Sequence, residues 1–483
     1  MDISSLVPFE YLGVFWIKSE KNNAVDGMLK LEINDVFNNI YLILSKPFIH
    51  NGPIFDERID NKEISGYCYI DGKKVYCKLL MCYGNLHSKK WKIQNVLFSK
   101  KQIRTLSYRS IRLCFSPMYR WSDDLVCEKI ENNSYIFKFP DNNGTIKLKH
   151  NDYNYLFNRP SIANSPYSAY FNTGGQYEYK LTINNDLIIE SSDKNNYSKL
   201  LDQALRIRNF LIMITGKNMR INNAWLSSAK TSIYSPQTNE VALVGHQDLM
   251  NTNDFDDQIV NVGFKQISSV FNYILKSWLS LDENIYKIVL NYIAVKSNIY
   301  EYVDTKFLLL IHSIEALDSI IASEECQRLV DSNKWKKIKS QLNKFFSSLP
   351  DNEKTANHSL NKLIEKLNSN LEYMNEPSLG QRLKNILVRE EKMRSILFED
   401  DTSAKNFINQ CVSKRNKLSH PNKNINNGFP DGKYTIVNNK LDFIFAYCLL
   451  KYIGLPEDIL CKYHGGSPNY FWARRYKIWE KIK

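Results

Sequence analysis

The spacing of apolar and polar positions changes period near residue 197. Before that point the apolar residues come in short runs cut by turn signals, among them DGMLKLEI (26–33), NIYLIL (39–44), WKIQNVLF (91–98), IRLCF (111–115), SYIFKF (134–139) and GTIKLKH (144–150). Runs of this length, rich in Val, Ile, Tyr and Phe and bounded by Gly, Asn and Asp, predict strands. In ISGYCYIDGKKVYCKLLMC (64–82), Asp71-Gly72 separates two such runs and predicts a hairpin. Asn184-Asn185 likewise joins YEYKLTI (177–183) to DLIIE (186–190). Short strands at this spacing predict a sandwich or a barrel.

From Tyr197 the period becomes helical. YSKLLDQALRIRNFLIMIT (197–215) sets Leu200, Leu201, Ala204, Leu205, Ile207, Leu211 and Ile214 at helix spacing, and Gly216 stops it. The polar stretch HQDLMNTNDFDDQ (246–258) reads as a linker. Beyond it the pattern predicts helices over 258–279, 283–296, 304–323, 331–347, 357–373, 378–397, 403–419, 440–453 and 470–482, joined by short polar links. Short links predict an antiparallel bundle. The expected architecture is therefore α+β and multidomain: a β-rich, sandwich- or barrel-like domain over 1–245, with a helix near 197–215, and an all-α region over 246–483.

Composition changes this picture little. Hydrophobic residues make up 43% and charged residues 24% of the 483, as in an ordinary globular chain. The net charge of +13 points weakly toward a polyanionic partner. No apolar run approaches the roughly 20 residues of a membrane helix, so no membrane association is expected. The start MDISSLVPFEYLG has no apolar core of a secretory signal. Nine scattered Cys without a CxxC argue against a disulfide framework or a zinc site, and fit a reducing cytoplasm. The last 23 residues hold six Lys or Arg against Glu480 alone, interleaved with Tyr470, Phe471, Trp472, Tyr476 and Trp479. That mixture suits contact with single-stranded RNA, and equally an amphipathic helix docking on the bundle. Docking is the favoured reading.

One segment carries chemistry. RNKLSH (415–420), followed by Pro421, closes the helix SAKNFINQCVSKRNKLSH. Its apolar stripe is Phe407, Ile408, Cys411, Val412 and Leu418, which leaves Arg415, Asn416 and His420 largely off the core. Asn416 and His420 lie four apart, one above the other on a helix. Arg415 lies roughly 140° around the axis from His420 at about 3.6 residues per turn, and its long side chain can still share a pocket. Pro421 disfavours helical geometry at His420, so the imidazole should project from a helix end. Arg can hold a scissile phosphate through two parallel hydrogen bonds and offset charge in the transition state. His titrates near neutrality and can take a proton from a ribose 2′-hydroxyl. Such RNA cleavage needs no metal or cofactor, because the 2′-hydroxyl is the nucleophile. The C-terminal helix end favours the His420 cation, while Lys414, Arg415 and Lys417 oppose it. Against this chemistry stands the bland alternative that Arg and His cap carbonyls and bind solvent. Lys414 and Lys417 either hold flanking RNA phosphates or are solvated.

RNKLSH matches the Arg-x4–6-His motif of HEPN domains, including a polar Asn directly after the Arg. Two upstream segments fit the same pattern. KFLLLIHSIEALDSI (306–320) resembles the first HEPN helix, with Glu315 as its acidic residue, and SLGQRLKNIL (378–387) resembles the helix before the motif. The N-terminal runs GVFWI (13–17) and DGMLKLEI, and the helix LRIRNFLIMITGK (205–217), resemble ApeA proteins. The chain is thus similar to ApeA-type HEPN proteins over nearly its full length, with a HEPN core at about 300–455. The resemblance implies a bacterial abortive-infection protein whose endoribonuclease is unleashed by a phage-encoded trigger, with tRNA as the substrate by analogy. It implies a homodimer or higher homo-oligomer through the HEPN domain, in which both copies of Arg415, Asn416 and His420 line one site. Glu315 would orient the Arg or only support the bundle. The main rival is a non-catalytic HEPN module that binds RNA or protein. His312 reads as a core or interface histidine, and Arg382 as an ion-pairing residue of the bundle or one facing the motif helix.

Overall fold

We describe a computed structural model. It covers residues 7–17, 23–33, 38–48, 59–116, 126–130, 134–138, 146–157, 161–162, 169–171, 177–179, 183–184, 186–216, 219–229, 240–245, 262–296, 302–323, 325–348, 358–371, 373–419 and 433–462. The chain forms two compact units, one running to Ser280 and the other starting at Leu281, except that Lys296–Ile299 belongs to the first. The region 9–245 is β-rich and the C-terminal region is helical. No helix among the described residues is long and apolar enough to cross a membrane.

The first unit begins with six antiparallel strands: β1 (Phe9–Ile17), β2 (Val25–Ile33), β3 (Asn38–Leu44), β4 (Ile59–Ile70), β5 (Lys73–Gly84) and β6 (Lys90–Ser99). β1 pairs with β2 and β4, β2 with β3, β3 with β6, β6 with β5, and β5 with β4. The ring of pairings closes, so these strands form a barrel. Alternation along each strand sends one face inward. Phe15, Leu29, Leu42, Ile64, Leu79 and Trp91, one from each strand, are 0% exposed inside it. Asp71-Gly72 makes the expected two-residue turn between β4 and β5, with φ of 49° and 72°, the left-handed pair that matches strand twist. Gly13 lies where β1 crosses β4, and a Cβ there would run into the Tyr67 carbonyl oxygen.

β6 also pairs with Val241–Gly245. From there the sheet continues through Arg220–Ser227, β7 (Ser107–Ser116), Asp186–Asn196 and Tyr153–Phe157 to Ile146–His150. The expected join of 177–183 to 186–190 through Asn184-Asn185 is replaced. Among the described residues, Tyr177–Tyr179 pairs with Ala169–Phe171, and Asp186–Asn196 lies between β7 and Tyr153–Phe157. Helix α1 (Tyr197–Thr215) packs on β7 and Asp186–Asn196. Asn196 caps its start by accepting from the Ser198 N–H, and Gly216 ends it in the left-handed conformation. Two further helices, α2 (Phe264–Ile267) and α3 (Phe271–Leu279), complete the unit. The compact unit therefore runs past the expected limit at 245. The reason is aromatic packing: Phe271 meets Phe157 and Phe210 with ring centroids 5.4 Å and 6.0 Å apart. The Trp278 indole N–H also donates to the Arg206 carbonyl at 2.9 Å.

The second unit contains α4 (Glu283–Lys296), α5 (Val303–Ile321), α6 (Ser332–Ser348), α7 (His358–Asn370), α8 (Leu379–Arg389), α9 (Glu391–Leu397), α10 (Asp401–Ser419), α11 (Tyr434–Tyr452) and α12 (Glu457–Lys462). The helix expected over 470–482 lies outside the described residues. The bundle is not wholly antiparallel. α5 and α11 run in the same direction: Asn438 Nδ2 donates to the Val303 carbonyl at 3.2 Å near their starts, and Asp318 and Cys448 line one small cavity near their ends. The long connection between them carries the chain back to the starting end. The helix expected over 378–397 is broken at Glu390, whose φ of −106° and ψ of 64° leave the helical region. Glu390 is buried, and its carboxylate takes Arg389 Nε at 3.1 Å and Lys451 Nζ at 2.7 Å.

Candidate active site

The motif helix α10 opens with Asp400 accepting from the Ser403 N–H at 2.7 Å. Ala404, Phe407, Cys411 and Lys414, spaced three or four apart, form its buried face. Ile408 and Val412, expected on the same core stripe, instead line an open cleft of about 1410 Å³ together with Asn409, Arg415 and Asn416. The opposite wall is α8. Its start is fixed by a reciprocal capping box in which the Gln381 N–H donates to Ser378 Oγ and the Ser378 N–H donates to Gln381 Oε1 at 2.8 Å. That places Gly380 against Val412 and Ile408. The start of α8 thus packs against the middle of α10. α5 contributes His312, Glu315 and Ser319 to the same cleft.

Arg415 and Asn416 are both half-buried at this cleft. Arg415 Nη1 reaches Asn416 Oδ1 at 3.4 Å, and Arg415 Nε is buried with no hydrogen-bond partner among the described residues. A guanidinium held by one weak neutral contact keeps its remaining donors for an incoming oxyanion. His420 follows the last described residue of α10 and lies outside the described residues, as do Pro421 and the aromatic segment from Tyr470 to Trp479. Glu315 lies at the cleft, its Oε2 4.0 Å from His312 Nδ1. His312 itself is exposed, at 64%, rather than in a core.

Of three further charged residues, only Lys414 sits differently from its sequence reading. Lys414 does not project toward a phosphate path. It is buried, with Nζ 4.6 Å over the Tyr434 ring, because it falls in register with Phe407 and Cys411. Burial pushes the Tyr434 hydroxyl up to about 12, helped by Asp304 and opposed by Lys414. Lys417 is exposed. Arg382 borders the cleft and ion-pairs within the bundle, meeting Asp318 Oδ2 at 3.8 Å and Glu376 Oε2 at 3.2 Å.

The sequence reading missed Asp318, one turn beyond Glu315. It is 2% exposed, and both terminal nitrogens of Arg389 lie 3.1 Å from its Oδ1. Burial raises the Asp318 carboxyl above its usual range, against the pull of Arg389 and then Arg382. Burial likewise disfavours the Arg389 cation, but the Asp318 charge, Cys448 and the hydrogen bonds to Glu390 and Asp318 together raise the group overall. These pairs fasten α8 to α5 and so hold one wall of the cleft. Lys405 and Asn409 were also missed, although both line the cleft. Counting back from Asn416 in steps of three and four along one helix face would have found them.

No curated protein and no solved structure matches the chain. The family model described as Apea-like HEPN matches residues 310–459, from the middle of α5 into α12 and across the whole of α10. The helical unit therefore carries an Apea-like HEPN domain, and the cleft with Arg415 and Asn416 lies within it.

Proposed function

We propose that the protein is an anti-phage, abortive-infection endoribonuclease that cuts host or phage RNA, such as tRNA, without a metal once infection triggers it. The observation that carries this reading is the underused Arg415 guanidinium beside Asn416, at the mouth of a wide cleft in an Apea-like HEPN domain. Domains of this kind are generally ribonucleases. In the reaction, a ribose 2′-oxygen attacks the adjacent phosphorus and His420 takes the 2′-hydroxyl proton. Arg415 binds two non-bridging phosphate oxygens as charge builds on them. The bond from phosphorus to the 5′-oxygen breaks, that oxygen is protonated, and a 2′,3′-cyclic phosphate and a 5′-hydroxyl result. Asn416 orients the imidazole or a phosphate oxygen, Glu315 supports the wall, and Lys417 meets a flanking phosphate. A second copy of the chain completes the site, and the β-rich unit restrains it until a phage component arrives.

The test is cleavage of total bacterial RNA in EDTA by wild-type, Arg415→Ala and His420→Ala proteins, with analysis of product ends. Cyclic-phosphate ends from wild type, reduced by about 10²-fold or more in each variant, are expected from the loss of a phosphate ligand or a general base. Equal cutting by all three would remove the motif from the chemistry. RNA binding that persists in a wild type unable to cut, even in phage-infected cells, would favour a non-catalytic module.

A further inference from the structure

Helix α6 is the most basic element outside the cleft. Its 17 residues, SNKWKKIKSQLNKFFSS, hold five lysines and no acidic residue, and none of the 17 is buried. Among the described residues Lys336, Lys337 and Lys344 pair with no carboxylate. Lys336, Lys339, Ser340, Asn343 and Lys344 border an open depression of about 670 Å³. It is lined by Lys, Ser and Asn residues, whose ammonium, hydroxyl and amide groups stand among their own methylenes. Ile338 and Phe345 lie toward the other side of the helix, 37% and 59% exposed.

The base of this helix is tied to the rim of the cleft. The Leu329 N–H donates to the Asn375 carbonyl, the Val330 N–H to Asn375 Oδ1, and Asn375 Nδ2 to the Val330 carbonyl, each at 2.9 Å. Asn375 is buried, and the next three residues, Glu376, Pro377 and Ser378, line the cleft. Asp331 then starts α6, accepting from the Asn333 and Lys334 N–H groups. A helix of 17 residues extends about 25 Å at about 1.5 Å per residue. That is roughly seven nucleotide steps of a stacked strand at about 3.4 Å each.

We infer that α6 is a substrate-holding arm: Lys336, Lys337 and Lys344 bind the phosphate backbone of the RNA whose scissile step lies in the cleft. The inference rests on the ribonuclease reading for the identity of the polyanion. Ammonium groups without carboxylate partners match phosphate oxygens: Lys336 and Lys344 border the depression, with its Ser and Asn groups beside them, and Lys337 stands next to Lys336 on the same helix. An anionic lipid surface would instead engage the apolar side around Ile338 and Phe345. Backbone contacts of this kind carry no base preference, so the arm holds RNA and the cleft selects the bond.

The experiment uses the full chain and a labelled single-stranded 2′-O-methyl RNA of mixed sequence, which lacks the attacking hydroxyl and reports binding alone. The triple variant Lys336→Gln, Lys337→Gln, Lys344→Gln is expected to bind about tenfold to a hundredfold more weakly. Its slope of log K against log salt should be shallower by about 2, from about 0.7 per lost phosphate contact. The matching triple Lys→Arg variant should bind like wild type. Equal binding by the Gln variant, or no binding by wild type, overturns the arm. So does loss of binding to phosphatidylserine vesicles with RNA binding unchanged. Cleavage of ordinary RNA by His420→Ala at the wild-type rate would instead overturn the catalytic reading, and would leave the binding result to stand or fall separately.

Discussion

The interior of the β-barrel and the interior of the helical unit are built on different principles. The barrel's core cluster, from Phe9 to Val244, is hydrocarbon, aromatic and thiol, and the polar groups its strands bury are few: Asn38, Asn95, Ser99 and Lys78, the last paired with Glu63. Inside the helical unit, Asp318, Glu390 and Arg382 are buried, and the more exposed Arg389 and Lys451 reach the two carboxylates from α8 and α11. An apolar interior follows from alternation, strand by strand. An ionic one exists only when several helices deliver their charges to the same place, because each charge left unpaired in the interior costs several kcal/mol. The ion pairs therefore register α8 against α5 and α11 more than they stabilise the fold. Since α8 is a wall of the cleft, that register sets which residues Arg415 faces across it.

The comparison breaks most readily by removing one member from each interior. Asp318→Ala takes from the buried Arg382 its carboxylate on α5, and from Arg389 its closest one, and is expected to cost about 3 kcal/mol in urea unfolding of the helical unit. Trp91→Ala empties the centre of the barrel and is expected to cost about 3–5 kcal/mol, with no dependence on salt. The two sites differ in how they recover. Asp318→Leu combined with Arg382→Met and Arg389→Met should regain most of the stability lost in Asp318→Ala, since a matched apolar set replaces ions at little cost. No charge change rescues Trp91→Ala. If the triple variant stays as unstable as Asp318→Ala, the ion pairs do more than register the helices.

The smallest expected effect is acid sensitivity confined to the helical unit. Lys392, then the Tyr447 hydroxyl, hold the Glu457 carboxyl down to about 2 from an ordinary 4.5. A depressed carboxyl contributes stability above its unfolded value, and the contribution is lost as pH falls from about 4.5 toward 2. Glu457→Gln should flatten that part of the profile of Tm against pH, leaving the β-rich unit unchanged. An unaltered profile would mean that the pair with Lys392 does not persist in solution.

Much of this was legible beforehand. The hairpin at Asp71-Gly72 was, because only a left-handed pair of residues closes a two-residue turn between twisted strands. So was α1, from its apolar period and its stop at Gly216. The helical spacing over 283–296 matches α4 residue for residue. The break at Glu390 was hidden, because the periodicity of 378–397 continues through it and the reason for it lies on α11. Lys414 was hidden for the same reason: the sequence marks it as a cation, and only Tyr434, twenty residues on, shows where the cation goes.

The sequence by itself determined the two classes of structure and the placement of Arg415 and Asn416 off the core, because both follow from periods counted along one segment. The tertiary structure alone decided that the strands close into a barrel, that α5 and α11 run the same way, and that Ile408 and Val412 face an open cleft. Each of these is settled by which distant segment arrives opposite a given face, and the energy of that meeting is not written in the local pattern of either partner.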